Sequence, residues 1–352
     1  MTQTSIDDFI DETATDAEQA DETGESEKAP SAPDNPPGQT EFCLSGLRAN
    51  DPLAFLAAIG VVRSLEKLDT VESPQIAWQN QGSNWTPVLE TGSPLTRKRL
   101  VRLLYQYLDQ DTTELRYTLS DTDPVDKLSN LETQEFRTLF ESVETGSETE
   151  QVLASYATDA FQGHPDTAEF NTREQGTALT RLNLAEYSGP LGFLKNQRRL
   201  ISETTIQKLH RTLFELWDFD DDASRCRTMR WSPTDARRGA YTGLDPTNVS
   251  KRTMHGANQL AIEGSRLYTV VPKATDSATV GFVRLSDNTQ VFQYPLWTSP
   301  ISASVISTLL THPAVLSQSP TVERIDGVNK VLRAEIEIND RYRNLGRGVP
   351  VG

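Results

Sequence analysis

Cysteine and histidine are scarce in this chain of 352 residues, which has two cysteines and four histidines. Cys43 and Cys226 lie far apart in the sequence, so they indicate buried free thiols and neither a disulfide framework nor a metal site. No two of the histidines have the spacing of metal ligands on one helix face. The sequence therefore predicts no metal site.

Motifs of nucleotide-dependent and hydrolytic enzymes are absent as well. The sequence contains no Gly-x-x-x-x-Gly-Lys-Ser/Thr loop for nucleotide phosphates and no Gly-x-Ser-x-Gly nucleophile turn. Neither cysteine lies in a motif that favours a nucleophile over a buried thiol. We therefore expect no cofactor, no catalytic residue and no enzymatic activity.

Long apolar runs are lacking, and no stretch of the sequence is long and apolar enough to cross a bilayer. The N-terminus has neither the basic start and apolar core of a signal peptide nor the arginines of a transit peptide. These absences predict a soluble cytoplasmic protein with no membrane partner. Lysine is scarce beside arginine, and the formal net charge is -16. Such a surface stays hydrated in concentrated salt, so we expect a halophilic cytoplasm.

Much of the acidic charge lies in residues 1–40. Eleven Asp and Glu residues there oppose the single base Lys28, which gives this segment -10 of the net charge of -16. A segment with high net charge and few apolar residues cannot offset its conformational entropy by burial. We therefore predict that residues 1–40 form a disordered acidic tail.

The first predicted helix is unusually apolar. Asn50 or Asp51 can cap it, and Pro52 suits its first turn because the missing N–H has no partner there. Apolar residues surround the helix up to Arg63, which predicts burial, and Gly60 indicates the close approach of another backbone.

The remaining patterns predict an α+β fold with mixed helices and a C-terminal antiparallel sheet. The predicted strands cover residues 41–47, 75–78, 115–119, 267–271, 280–285 and 291–297, and the other helices cover 95–108, 133–160, a stretch ending at Trp217 and 303–310. A loop is expected at Asn84-Trp85. A break at 145–147 divides the folded chain into an N-terminal α+β part, 41–145, and a C-terminal α+β part, 146–352.

Positive charge is concentrated in the arginine-rich segment 225–252, which reads RCRTMRWSPTDARRGAYTGLDPTNVSKR. In so acidic a chain, arginines interleaved with Trp231 and Tyr241 indicate polyanion binding. The alternative is an ion-pairing loop that neutralises the acidic surface around it. Trp231 offers a stacking surface for a base or, in the other interpretation, anchors the core among the charges.

Two further basic clusters accompany this segment. Lys195, Arg198 and Arg199 follow a glycine-rich turn and begin a helix, where they can face an anion. Arg97, Lys98, Arg99 and Arg102 begin the helix predicted at 95–108, although a solvated helix surface is the more common reason for such a run. The candidate nucleic-acid-binding residues are Lys195, Arg198, Arg199, Arg230, Trp231, Arg237, Arg238, Lys251 and Arg252.

His255 lies three positions after the basic Lys251-Arg252 pair, in the block Met254-His255-Gly256-Ala257-Asn258. A general acid or base at this place would suit phosphodiester cleavage. No second base or metal ligand accompanies it, so local hydrogen bonding or a phosphate contact is the more common role. A metal-independent nuclease using His255 is one alternative function.

Several separated blocks resemble one protein family. They are LSGLRANDPLAFLAAIGV at 44–61, RWSP at 230–233, DPT at 245–247, HGANQLA at 255–261 and YPLWTSPI at 294–301. Together they are similar to CRISPR-associated proteins of the type I-G (formerly I-U) systems, in which a Gly-Leu strand leads to Asn-Pro-Leu, a Phe-Leu-Ala-Ala-Leu-Gly helix and often an arginine. The resemblance spans most of residues 42–311.

The resemblance implies either the large-subunit type or the accessory protein that extends the helicase-nuclease of a type I interference complex. Both imply a non-catalytic protein of antiviral defence whose partners are CRISPR effector subunits and CRISPR RNA or target DNA. Guide pairing would then supply specificity, and the candidate residues would contact phosphates. The acidic tail and the scarcity of lysine depart from a nucleic-acid binder, so a protein-interaction adaptor without direct nucleic-acid contact is the other alternative.

Overall fold

The computed structural model describes residues 38–82, 84–110, 124–143, 148–158, 178–187, 192–224, 226–234, 252–268, 270–272, 277–339 and 342–351. Several sequence predictions lie outside the described residues. They are the acidic tail up to residue 37, the strand at 115–119, the break at 145–147, the turn at 188–191 and most of the arginine-rich segment. Gly38–Gly352 form one compact unit.

Helices and strands are mixed along the chain, which confirms the predicted α+β class. The α-helices are α1 (Pro52–Glu66), α2 (Arg97–Gln110), α3 (Thr133–Glu141), α4 (Glu148–Tyr156), α5 (Leu184–Tyr187), α6 (Phe193–Glu203), α7 (Ile206–Phe214), α8 (His255–Ser265) and α9 (Ala303–Leu310). The strands are β1 (Gln39–Cys43), β2 (Gln75–Gln81), β3 (Asn84–Leu95), β4 (Ala157–Thr158), β5 (Ala178–Leu179), β6 (Asp221–Asp222), β7 (Arg252–Thr253), β8 (Val270–Pro272), β9 (Ser277–Thr279), β10 (Phe282–Arg284), β11 (Gln290–Trp297), β12 (Val328–Asn339), β13 (Tyr342–Leu345) and β14 (Val349–Val351).

Two antiparallel sheets hold most of the strand residues. The N-terminal sheet has the order β1-β3-β2, and the C-terminal sheet has the order β10-β11-β12-β13 with β14 also paired to β12. The loop predicted at Asn84-Trp85 is wrong, because these residues begin β3 and pair with Gln81 and Asn80 of β2. Gly82, with a φ of 73°, makes the tight turn that joins the two strands.

Helix α1 lies in the centre of the core, as its apolar pattern predicts. Every residue from Pro52 to Leu65 is buried. Asp51 Oδ1 accepts a hydrogen bond from the Leu53 amide at 3.0 Å, so the predicted cap is present. The predicted close approach at Gly60 is also confirmed, because a Cβ there would lie 1.8 Å from the carbonyl oxygen of Leu260 in α8.

One hydrophobic core spans the predicted N-terminal and C-terminal parts. Helix α1 comes from the first part and packs along α8 from the second, and Ile76 of β2 pairs with Ile301. The predicted boundary near residue 145 therefore does not separate two cores. Within the described ranges, no helix combines the length and the apolar character that crossing a membrane requires.

Candidate functional site

Two predicted phosphate-binding residues on α6 share one carboxylate. Lys195 Nζ lies 2.5 Å from Asp126 Oδ2, and Arg198 Nη2 lies 2.6 Å from Asp126 Oδ1. Arg198 also donates to the carbonyl oxygen of Val125 at 3.1 Å. Both side chains are half-buried, and each would have to give up this internal carboxylate to bind a phosphate. Arg199, on the same helix, is exposed.

Arg230 and Arg252, near the two ends of the arginine-rich segment, are also bonded to the fold. Arg230 has a φ of 71°, and its Nη1 donates to Asn344 Oδ1 at 3.3 Å. Arg252 Nη1 lies 3.1 Å from Asp220 Oδ1 and donates to the carbonyl oxygen of the same residue at 2.6 Å. The candidates Arg237, Arg238 and Lys251 lie outside the described residues.

Trp231 is a core residue, and the expectation of an exposed stacking platform is wrong. Its side chain is 0% exposed. The indole Nε1 donates to the carbonyl oxygen of Leu182 at 3.0 Å, and the ring stacks on Tyr156 with centroids 6.3 Å apart. The alternative interpretation, a tryptophan that anchors the core among charged neighbours, is confirmed.

His255 is buried at the first position of α8, with 1% of its surface exposed. Its Nδ1 lies 3.1 Å from Lys208 Nζ, and its backbone amide donates to Asp221 Oδ2 at 2.7 Å. Burial lowers the pKa of His255, and the nearby Asp221 carboxylate opposes that shift in part. A polymer substrate does not reach this imidazole, so the nuclease alternative lacks an accessible acid or base.

A buried ion network that local sequence patterns did not predict joins α1 to α8. Arg63 Nη1 lies 2.7 Å from Glu263 Oε2, and Arg266 Nη2 lies 2.9 Å from Glu263 Oε1. Arg63 also donates to Gln151 Oε1 of α4 at 2.8 Å. The signal for this network was a single arginine in an otherwise apolar helix, because a buried guanidinium needs a counter-charge.

Four of the blocks that carry the family resemblance meet at α1. Ser232 Oγ donates to Asp51 Oδ2 at 2.7 Å, which joins the RWSP block to the helix cap. Tyr294 of the YPLWTSPI block donates to the carbonyl oxygen of Ala49 at 2.8 Å, and its ring centroid lies 4.4 Å from that of Phe55. The HGANQLA block belongs to α8, which packs against Gly60. The DPT block lies outside the described residues.

The two free cysteines differ in exposure, because Cys226 is buried and Cys43 is half-buried. Burial raises the pKa of Cys226 to about 12, so this group is a thiol at neutral pH. Cys43 Sγ accepts a hydrogen bond from Gln81 Nε2 at 3.3 Å. Across the part of the chain that the structure describes, no three His, Cys, Asp or Glu side chains are grouped to hold a metal ion.

Comparisons of the sequence with protein-family models and with curated proteins, and of the chain with solved structures, found no match.

Proposed function

We propose that this chain is a non-catalytic subunit or accessory protein of a type I CRISPR interference complex in the cytoplasm. One observation carries the proposal. The blocks at 230–233, 255–261 and 294–301, which carry the resemblance, each contact the block at 44–61. These residues therefore determine the scaffold of the fold, and a resemblance in scaffold residues supports descent from a common architecture.

The proposal assigns contact with guide RNA or target DNA phosphates to the arginine-rich segment. Buried Trp231 and the carboxylate-bound Arg252 attach the segment to the fold at its two ends. Arg237, Arg238 and Lys251 lie between these attachments in the sequence. Arginine suits phosphate recognition because its planar fork donates two parallel hydrogen bonds.

A protein-interaction adaptor is the second candidate function. The observation that favours it is the bonding of Lys195, Arg198 and Arg252 to Asp126 and Asp220. These basic residues already bind carboxylates within the chain, and the acidic surface of a partner protein would offer Arg237 and Arg238 the same chemistry. Under this function the arginine-rich segment determines assembly and does not touch nucleic acid.

The variant Arg237→Gln/Arg238→Gln separates the two functions. The exposed Arg347→Glu is a matched control because it lowers the net charge by the same amount. Loss of nucleic-acid binding with assembly intact supports phosphate contact, whereas loss of assembly alone supports the adaptor. If the wild type binds neither effector subunits nor nucleic acid, both functions are wrong.

A further inference from the structure

A second positive surface lies at the start of α2. Arg97, Lys98 and Arg99 are consecutive and exposed, and none of them is paired with a carboxylate among the described residues. In this respect they differ from Lys195, Arg198 and Arg252, which are paired with Asp126 and Asp220. Exposed cations without internal partners are the ones that can bind an external anion directly.

These cations lie at a position where they lower the stability of the helix that carries them. Thr96 Oγ1 accepts a hydrogen bond from the Arg99 amide at 3.1 Å, which marks the beginning of the helix. The first turn contains no acidic residue. The three cations therefore lie at the positive end of the helix dipole, which destabilises this end of the helix. An anion bound at this place relieves that repulsion.

An aromatic ring lies beneath one end of the cluster. Arg97 Cζ is 4.9 Å from the centroid of the half-buried Phe214 ring at the end of α7. Ser45 Oγ donates to the Phe214 carbonyl oxygen at 2.7 Å, so the loop after β1 adjoins the same ring. The neighbouring carboxylate of Glu215 lies 3.2 Å from His210 Nδ1.

We call Arg97, Lys98, Arg99 and Phe214 the α2 basic surface.

We propose that the α2 basic surface docks the phosphate backbone of a nucleic acid strand. Cations beside a partly exposed aromatic ring are typical of surfaces that follow such a backbone. The ring holds the Arg97 guanidinium, and Lys98 and Arg99 are left to contact successive phosphates. This inference rests on the proposed function only in taking nucleic acid as the ligand, and the surface is separate from the arginine-rich segment.

Lys98→Glu tests the proposal because it should weaken nucleic-acid binding without lowering the stability of the helix. A carboxylate in the first turn suits the helix dipole, so the variant should melt at or above the temperature of the wild type. Its affinity for a labelled single-stranded RNA and for a DNA duplex of mixed sequence should fall by at least about fivefold, with a lower slope of log affinity against log salt. Arg347→Glu is the control with the same change in net charge.

The outcomes distinguish this proposal from the proposed function. If the wild type binds either probe and Lys98→Glu binds as tightly as Arg347→Glu, the α2 basic surface is not a docking site, although the proposed function stands. If Lys98→Glu loses effector subunits and keeps nucleic acid, the surface binds protein and the proposal is wrong. A wild type that binds neither probe overturns this proposal and the phosphate contact of the proposed function, and it leaves the protein-interaction adaptor as the function. Arg99→Gln repeats the test should Lys98→Glu misfold.

Discussion

Gly60 and Gly264 lie opposite each other where α1 crosses α8. A Cβ on Gly264 would sit 2.0 Å from the carbonyl oxygen of Leu56 and 3.0 Å from the amide nitrogen of Gly60. A Cβ on Gly60 would sit 1.8 Å from the carbonyl oxygen of Leu260. The two backbones therefore touch without intervening side chains, and this contact brings together the blocks at 44–61 and 255–261.

Gly60→Ala should destabilise the protein strongly, because the added methyl group meets backbone that no rotamer change can move. Overpacking of a core costs about 1–3 kcal/mol, and a backbone clash lies at the upper end. The free energy of unfolding from denaturant titration measures the loss. Gly82→Asn is the control, because nothing lies within 4 Å of a Cβ there and asparagine tolerates positive φ. A Gly60→Ala protein as stable as the wild type would contradict the close helix contact.

Glu263→Gln should be at least as damaging as Gly60→Ala, because it leaves the Arg63 and Arg266 guanidinium groups without their shared carboxylate. Breaking a buried pair by removing one partner costs about 3–5 kcal/mol. Glu215→Gln is the control, since its pair with His210 is exposed and such pairs contribute less than about 1 kcal/mol. Equal stability of the two variants would show that the buried network does not hold α1 to α8.

The stability of the protein should depend on the protonation of His255. Its folded pKa lies below the ordinary value of about 6.5, with burial as the main cause. At a pH between the folded pKa and the ordinary pKa, His255 carries a proton in the unfolded chain and none in the folded chain. Stability is therefore complete above the ordinary pKa and falls as the pH drops toward the folded pKa, by up to about 1.4 kcal/mol per pH unit.

His255→Gln should remove this part of the pH dependence, whereas the exposed His210→Gln should keep it. The measurement is the free energy of unfolding at a series of pH values for the wild type and both variants. The groups around His255 are Lys208, Asp221 and Glu203, and they remain in all three proteins. Parallel curves for the wild type and His255→Gln would show that the buried imidazole does not titrate as described.

Trp231→Phe should leave nucleic-acid affinity within about twofold of the wild type, because the buried ring stacks on Tyr156 and not on a base. Its stability should fall by an amount of the order expected for core substitutions, about 1–3 kcal/mol, since phenylalanine lacks the bond to Leu182. Filter binding and denaturant titration give the two quantities. Weaker nucleic-acid binding with an unchanged free energy of unfolding would show that Trp231 contacts the nucleic acid.

Local patterns predicted the elements that a short stretch of sequence determines. The helix at 303–310 and the cap at Asp51 depend on residues adjacent in the chain. The close approach at Gly60 was indicated by a glycine inside an apolar helix, although the backbone that it meets belongs to α8. The strand β12 was not predicted, although Leu332, Ala334, Ile336 and Ile338 alternate with charged residues at a period of two. The strands β13 and β14 come after β12 in the chain, and each pairs with it in antiparallel orientation.

The candidate site was less predictable, because counting charges does not reveal their partners. Lys195 and Asp126 are 69 positions apart in the sequence and 2.5 Å apart in the structure. The tertiary fold alone decides that this lysine has a carboxylate and that Lys98 has none among the described residues. The same holds for Trp231, whose charged sequence neighbours are compatible with a surface or a core position, while its side chain lies in the core.

Purification of the chain from its native host, at the host's own salt concentration, tests whether it belongs to a type I CRISPR interference complex. Bound nucleic acid is sequenced and bound proteins are identified in the same preparation. We predict that CRISPR RNA is recovered together with effector subunits of a type I complex. A clean protein that carries neither would contradict membership of the interference complex.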